Sequence, residues 1–144
     1  MWGMASPLDL YRRQHRELRD AMKRLGATDR RSLAAPAGAG EARGRLADLS
    51  GKLLVHLQME DGSLYPELLR SARAEVRATA ARFQAEMGAL RGVADDAFRR
   101  WLRPDAIQQA PDAFLAEQRS LLHALAARID AEEAELYPLV ERSR

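Results

Sequence analysis

Apolar residues recur every three or four positions along most of the chain, the spacing that gathers them on one face of an α-helix. The first stripe is Leu8, Tyr11, Leu18, Met22 and Leu25; it starts after Ser6-Pro7 and ends at Gly26. Serine suits the position before a helix and proline the first turn, so this boundary is well marked. The segment from Ala27 to Gly40 holds Pro36, Gly38 and Gly40 and predicts a loop. A second stripe, Leu46, Leu49 and Leu53, predicts a helix from about Glu41, with a broken or kinked last turn where it meets Gly62 and Pro66. A third helix is predicted from near Ser71 to Leu102, carrying Val76, Phe83, Leu90 and Phe98, with Pro104 just beyond. Pro111-Asp112 opens a fourth, carrying Phe114, Leu121, Leu125 and Leu136. No run alternates β-branched and aromatic residues as a strand would. The expected fold is all-α, an up-down-up-down antiparallel four-helix bundle forming one domain over residues 1–144.

The pattern also repeats. Shifted by 72 residues, Leu64-Tyr65-Pro66 falls on Leu136-Tyr137-Pro138, Glu60 on Glu132, Leu49 on Leu121, Leu53 on Leu125 and Tyr11 on Phe83. The chain therefore reads as two helical hairpins of one design related by a pseudo-twofold axis.

Polar residues interrupt the stripes. His15 lies between Tyr11 and Leu18; His56 and Glu60 follow Leu53; Arg128 and Glu132 follow Leu125; Glu86 flanks Phe83 and Met87. The periodicity sends His15, His56, Glu60, Arg128 and Glu132 to the interior, where an unpaired charge costs several kcal/mol. Inward His and Glu from facing helices of a bundle are also how non-haem metal sites are built. His123 lies nine residues before Glu132, about half a helical revolution away, and reads as a flanking or surface residue.

Composition narrows the chemistry. With no cysteine among 144 residues, disulfides, zinc fingers, iron–sulfur clusters and cysteine nucleophiles are excluded, and a metal would need His, Asp, Glu or Met. Apolar residues make up 47% and charged residues 31%, a globular balance without a run long enough to span a membrane. Twenty-three basic against twenty-one acidic residues leave a net charge of +2, too even to announce a nucleic-acid binder. The basic stripe Arg12, Arg16, Arg19 and Lys23 and the cluster Arg99, Arg100 and Arg103 read as solvated faces. The start, MWGMASP, has no basic segment followed by a long apolar one, so no signal peptide is expected and the cytoplasm is the default location. Glu132-Glu133 and Asp95-Asp96 are sequence neighbours that point to different helix faces and make poor acid/base pairs.

The segment from His56 to Pro66, HLQMEDGSLYP, resembles the second-helix motif of hemerythrin-like (HHE cation-binding) domains: His, three residues, Glu, then an aromatic-Pro pair. Gln14-His15-Arg16-Glu17-Leu18 resembles the first-helix His motif, and the likeness in length, helix number and hairpin repeat extends over the whole chain. The second half departs from the family. A fully equipped member has His on the third helix and His with a carboxylate on the fourth, completing a di-iron site; here the repeat maps His15 onto Met87 and His56 onto Arg128, and only Glu132 keeps its ligand type.

The resemblance implies non-haem metal binding at His15, His56 and Glu60, completed by Glu86 or Glu132. It favours iron, one ion rather than two, with oxygen, nitric oxide or peroxide as small ligand. Arg128 stays charged in any protein environment and would occupy the space and supply the charge of a second ion, pairing with Glu132 and with Glu60 or Glu86. The competing reading is a metal-free interaction or regulatory module with a buried His–Glu–Arg network. A catalytic oxidase or repair enzyme ranks last, because the ligands of a second iron are missing. A protein partner or homodimer is left open.

Overall fold

Four long helices organise the chain in the computed structural model, which describes residues 6–143. Most of the MWGMASP start lies outside the described residues. In order, the elements are α1 (Asp9–Gly26), a 3-10 turn (Ser32–Ala34), α2 (Pro36–Met59), a π-helical turn (Glu60–Leu64), α3 (Tyr65–Leu69), α4 (Ala74–Trp101), α5 (Ala106–Gln109), α6 (Pro111–Ala131), a second π-helical turn (Glu132–Leu136) and α7 (Tyr137–Arg142). Among the described residues there is no strand, and no helix is long and apolar enough to cross a membrane.

Cross-links between side chains fix the directions. Arg24 pairs with Asp48 while Gln14 reaches Met59, so α1 and α2 are antiparallel. Arg12 meets Glu141, Arg19 meets Asp130, and Gly26 lies against Leu122, which sets α6 antiparallel to α1. Asp61–Arg91 and Arg43–Leu102 do the same for α2 and α4, and Arg82–Glu135 and Arg100–Glu117 for α4 and α6. The predicted all-α bundle of two hairpins is the observed one.

Ser6 does mark the entry to α1: its Oγ accepts the Leu8 N–H at 3.2 Å and its carbonyl accepts the Asp9 N–H at 2.9 Å. The predicted loop from Ala27 to Gly40 is shorter than expected. α2 begins at Pro36, which sits in its first turn, so Gly38 and Gly40 are helical. Proline needs no intrahelical acceptor there, and this outweighs the poor helix propensity of the glycines. Gly38 is required by space: a Cβ on it would lie 1.8 Å from the Ser32 carbonyl oxygen. Gly38→Ala should therefore destabilise the protein by about 1–3 kcal/mol, whereas Gly44→Ala, on the same helix and in open space, should stabilise it by about 0.5–1 kcal/mol. Urea denaturation of the two variants checks the contrast.

The buried apolar residues fall into two groups. One, with Leu18, Leu25, Leu46, Leu49, Leu53, Phe98, Phe114, Leu121 and Ile129, fills the end of the bundle where α2 starts. The other, with Leu8, Tyr11, Leu64, Tyr65, Phe83, Leu136 and Tyr137, fills the opposite end. His15, Glu60 and Glu132 each stand in sequence between a residue of one group and a residue of the other. The polar layer thus lies between two apolar cores, each of whose large side chains contributes about 1.5–3 kcal/mol by burial.

A candidate metal centre between the two apolar cores

His15 comes from α1, His56 from the end of α2, Glu60 from the first π turn and Glu132 from the second. All four are buried, with exposures of 0%, 3%, 1% and 2%. One ligand atom from each lies within 4.8 Å of the others. Donors sharing one ion at about 2.1 Å are at most about 4.2 Å apart, so a contraction of a fraction of an ångström closes the set.

The outer contacts of the two imidazoles orient them for this task. His15 Nδ1 donates to Glu133 Oε2 at 2.8 Å, and His56 Nδ1 donates to Gln14 Oε1 at 2.7 Å. With Nδ1–H engaged, each ring turns Nε2 to the cluster: His15 Nε2 is 3.0 Å from Glu132 Oε1, and His56 Nε2 is 3.3 Å from Glu60 Oε1 and 3.9 Å from Glu132 Oε1. Donation of the far ring N–H to a carboxylate or carbonyl is the arrangement that fixes the tautomer of a metal-ligating His. Glu132 and Glu133 do point differently, as neighbours must, yet each reaches a different nitrogen of one imidazole.

The π turns decide what else enters the layer. Pro66 and Pro138 have no N–H, and their rings crowd the carbonyl four residues back. The chain widens by one residue instead: the Tyr65 N–H bonds the Glu60 carbonyl, and the Tyr137 N–H bonds the Glu132 carbonyl. In an α-helix a residue five positions on is turned away by about 140°; the wider turn brings it back to the same side. The kink expected at Gly62 and Pro66 is thus a π turn that continues into α3. The two tyrosines then exchange halves of the molecule. Tyr65 OH donates to Glu132 Oε2 at 2.8 Å, and Tyr137 OH donates to Glu60 Oε2 at 3.3 Å while stacking on His15 at 5.4 Å between ring centres. Neither tyrosine was identified from sequence as part of the site; the doubled Leu-Tyr-Pro, in register with the doubled Glu, was the available signal.

Burial and charge set the protonation states. Burial raises the Glu60 carboxyl to about 7, helped by the Glu132 charge and opposed by His56. Burial alone would lower His56, but the carboxylates of Glu132 and Glu60 outweigh it and hold the imidazole up at about 9. Although burial opposes it, Glu132 is held well below the usual carboxylate range by hydrogen bonds to His15 and His56 and by Arg128. Burial pushes both Tyr65 and Tyr137 upward, so both stay protonated donors. The Glu132 charge is among the causes that raise Glu60, and a cation held between the two carboxylates would oppose it.

Arg128 sits where the repeat places it, buried beside Glu132. Its Nη2 lies 3.6 Å from Glu132 Oε2 and donates to Tyr65 OH at 2.8 Å, while its guanidinium carbon lies 4.8 Å from the Phe83 ring centre. Glu60 takes His56 and Tyr137 as partners instead of Arg128. Glu86, expected as a ligand alternative to Glu132, stands outside the cluster. It is 56% exposed, lies 3.5 Å from Arg82, and comes only to 4.0 Å from Arg128, because the Phe83–Met87 face of α4 turns inward and leaves Glu86 at the rim. Met87 is buried and lines the cavity beneath the cluster; His123 is exposed on α6.

Tyr65→Phe tests the cross-hairpin bond. It removes one donor to Glu132 and the hydrogen-bond partner of Arg128 Nη2, so it should cost about 1–3 kcal/mol. Thermal or urea unfolding of the metal-free protein reads the loss.

The two searches of known proteins, one among curated sequences and one among solved structures, return no match. Residues 6–140 match the family model described as the hemerythrin HHE cation binding domain. With that match over nearly its whole length and a buried His/Glu group suited to a cation, the chain belongs to the hemerythrin HHE cation-binding domain family.

Proposed function

We propose that this protein binds one non-haem iron ion through His15, His56, Glu60 and Glu132 and uses it to bind or sense a small ligand such as oxygen, nitric oxide or peroxide. The observation that carries the reading is the convergence of four buried donor atoms from three arms of the bundle. Two His and a carboxylate are a sufficient set for a divalent ion with positions left open, and the second carboxylate adds charge. Bound iron would supply a position at which a small ligand coordinates.

The remaining residues shape that position. Gln14 and Glu133 hold the imidazoles, and Tyr65 and Tyr137 hold the carboxylates, so the donor set is oriented before any ion arrives. Arg128 supports one ion over two: a fixed positive charge replaces a ligand on the fourth helix and would repel a second cation. The adjoining cavity supports a small ligand. Its volume is about 10 Å³, and Leu18, Met22, Leu53, Leu57 and Met87 are among its walls. That is about the room one water molecule needs.

Elemental analysis of protein purified without chelator or a His-tag tests the reading. The expected result is an iron-to-protein ratio near one, lost at acid pH as protons compete for the donors. A ratio near two would overturn the role given to Arg128. A ratio near zero, unchanged on reconstitution with ferrous iron, would overturn metal binding and assign the chain to the metal-free interaction module.

A further inference from the structure

Gln14 links α1 to two residues that stand one turn apart at the end of α2. Its Oε1 accepts from His56 Nδ1 at 2.7 Å, and its Nε2 donates to Met59 Sδ at 2.9 Å. Gln14 and His56 are buried and Met59 is partly so. Met59 is itself tied to α1, since Tyr11 OH donates to its carbonyl at 3.4 Å.

A side-chain amide has one accepting end and one donating end of similar size. Turned over, Gln14 would point its Nε2–H groups at the Nδ1–H of His56 and its Oε1 at a thioether. A thioether sulfur accepts and cannot donate, so both contacts would set like against like. The Met59 sulfur therefore holds the Gln14 amide in the one orientation that gives His56 Nδ1–H an acceptor and leaves Nε2 toward Glu60 and Glu132. His15 needs no such anchor: its Nδ1 partner is the Glu133 carboxylate, which accepts at either oxygen. The 72-residue repeat agrees. Gln14, His56 and Met59 fall on Glu86, Arg128 and Ala131, so the second half lacks the amide, the imidazole and the thioether together.

We infer that Met59 is a positioning residue of the metal centre, its thioether fixing the Gln14 amide so that the His56 ring presents Nε2 to the ion. This rests on the metal-binding reading above. Met59 acts on the ion only through Gln14 and His56. Residues that orient a ligating imidazole in this way govern metal affinity by about 10–100-fold.

Competition for ferrous iron between the protein and a chelator of known affinity, without oxygen, tests this. Met59→Leu keeps an apolar side chain of similar volume and removes the acceptor; iron affinity should fall at least about tenfold. Met59→Gln gives up apolar character and keeps an acceptor in its side-chain carbonyl, so affinity should stay within about threefold of wild type. Packing alone would give the reverse order, because leucine fills the space as methionine does. In the Gln14→Glu background either carboxylate oxygen serves Nδ1, and there Met59→Leu should change affinity by less than about twofold. Wild-type protein that takes up no iron would overturn the metal reading and this inference together. Iron bound by Met59→Leu as tightly as by wild type would overturn this inference alone and leave the metal site standing. Equal losses from Met59→Leu with and without Gln14→Glu would do the same. Should Met59→Leu not fold, Met59→Gln decides: retained affinity upholds the anchor, and a loss of about tenfold or more overturns it.

Discussion

Glu132→Ala is expected to lower the stability of the metal-free protein by about 3–5 kcal/mol, the range typical of breaking a buried charged pair, and to abolish metal uptake. Glu132 is the most connected residue of the polar layer. One oxygen faces His15 Nε2 at 3.0 Å and His56 Nε2 at 3.9 Å; the other accepts from Tyr65 OH at 2.8 Å and lies 3.6 Å from Arg128. Its removal leaves a buried guanidinium with only the more distant, exposed Glu86 carboxylate at 4.0 Å and a buried phenol without that acceptor, between two apolar cores. Glu132→Gln separates the two effects: it keeps the side chain's shape and loses its charge, so it should retain more stability than alanine while still weakening metal binding. Urea denaturation and metal analysis of the two variants provide the check. Stability within about 1 kcal/mol of wild type for Glu132→Ala would show that the layer is solvated or loosely coupled.

Met87→His combined with Arg128→His should raise the iron content by one ion per chain. The repeat pairs Met87 with His15 and Arg128 with His56, and the fold places both side chains on the wall of the cavity that His56, Glu60 and Glu132 also line. The double change supplies two imidazoles beside an existing carboxylate and removes the charge that repels a second cation. Tyr65, which now spans Arg128 and Glu132, would keep only the Glu132 contact. Metal analysis and the colour of the iron-loaded variant in air measure the outcome. An unchanged metal ratio in a folded double variant would mean that α4 and α6 have moved beyond the few tenths of an ångström that ligation tolerates.

The amino-acid sequence alone was enough to determine the helices, the pairing of two like hairpins and the interior placement of His15, His56, Glu60, Arg128 and Glu132. All of these are periodic properties: which face a residue occupies follows from its position along a helix, and the 72-residue repeat carries the same faces into the second half. Helix boundaries were less legible. α2 starts at Pro36 because Gly38 allows the chain to pass against the Ser32 carbonyl, a contact between segments that no local propensity encodes.

Within the site, only the tertiary structure decided who meets whom. Glu86 and Glu132 both lay near the predicted interior, and the rotation of α4 about its axis left Glu86 at the rim while Glu132 entered the cluster. Glu133 reached His15 on α1 from the second π turn. The π turns at Glu60–Leu64 and Glu132–Leu136 rotated Tyr65 and Tyr137 inward, so that each tyrosine holds the carboxylate of the other hairpin. Sequence periodicity assumes a constant turn per residue, and a π turn breaks that assumption at one point. Contacts across helices depend further on axial rotation and on the reach of long side chains, which are fixed only when both cores have packed.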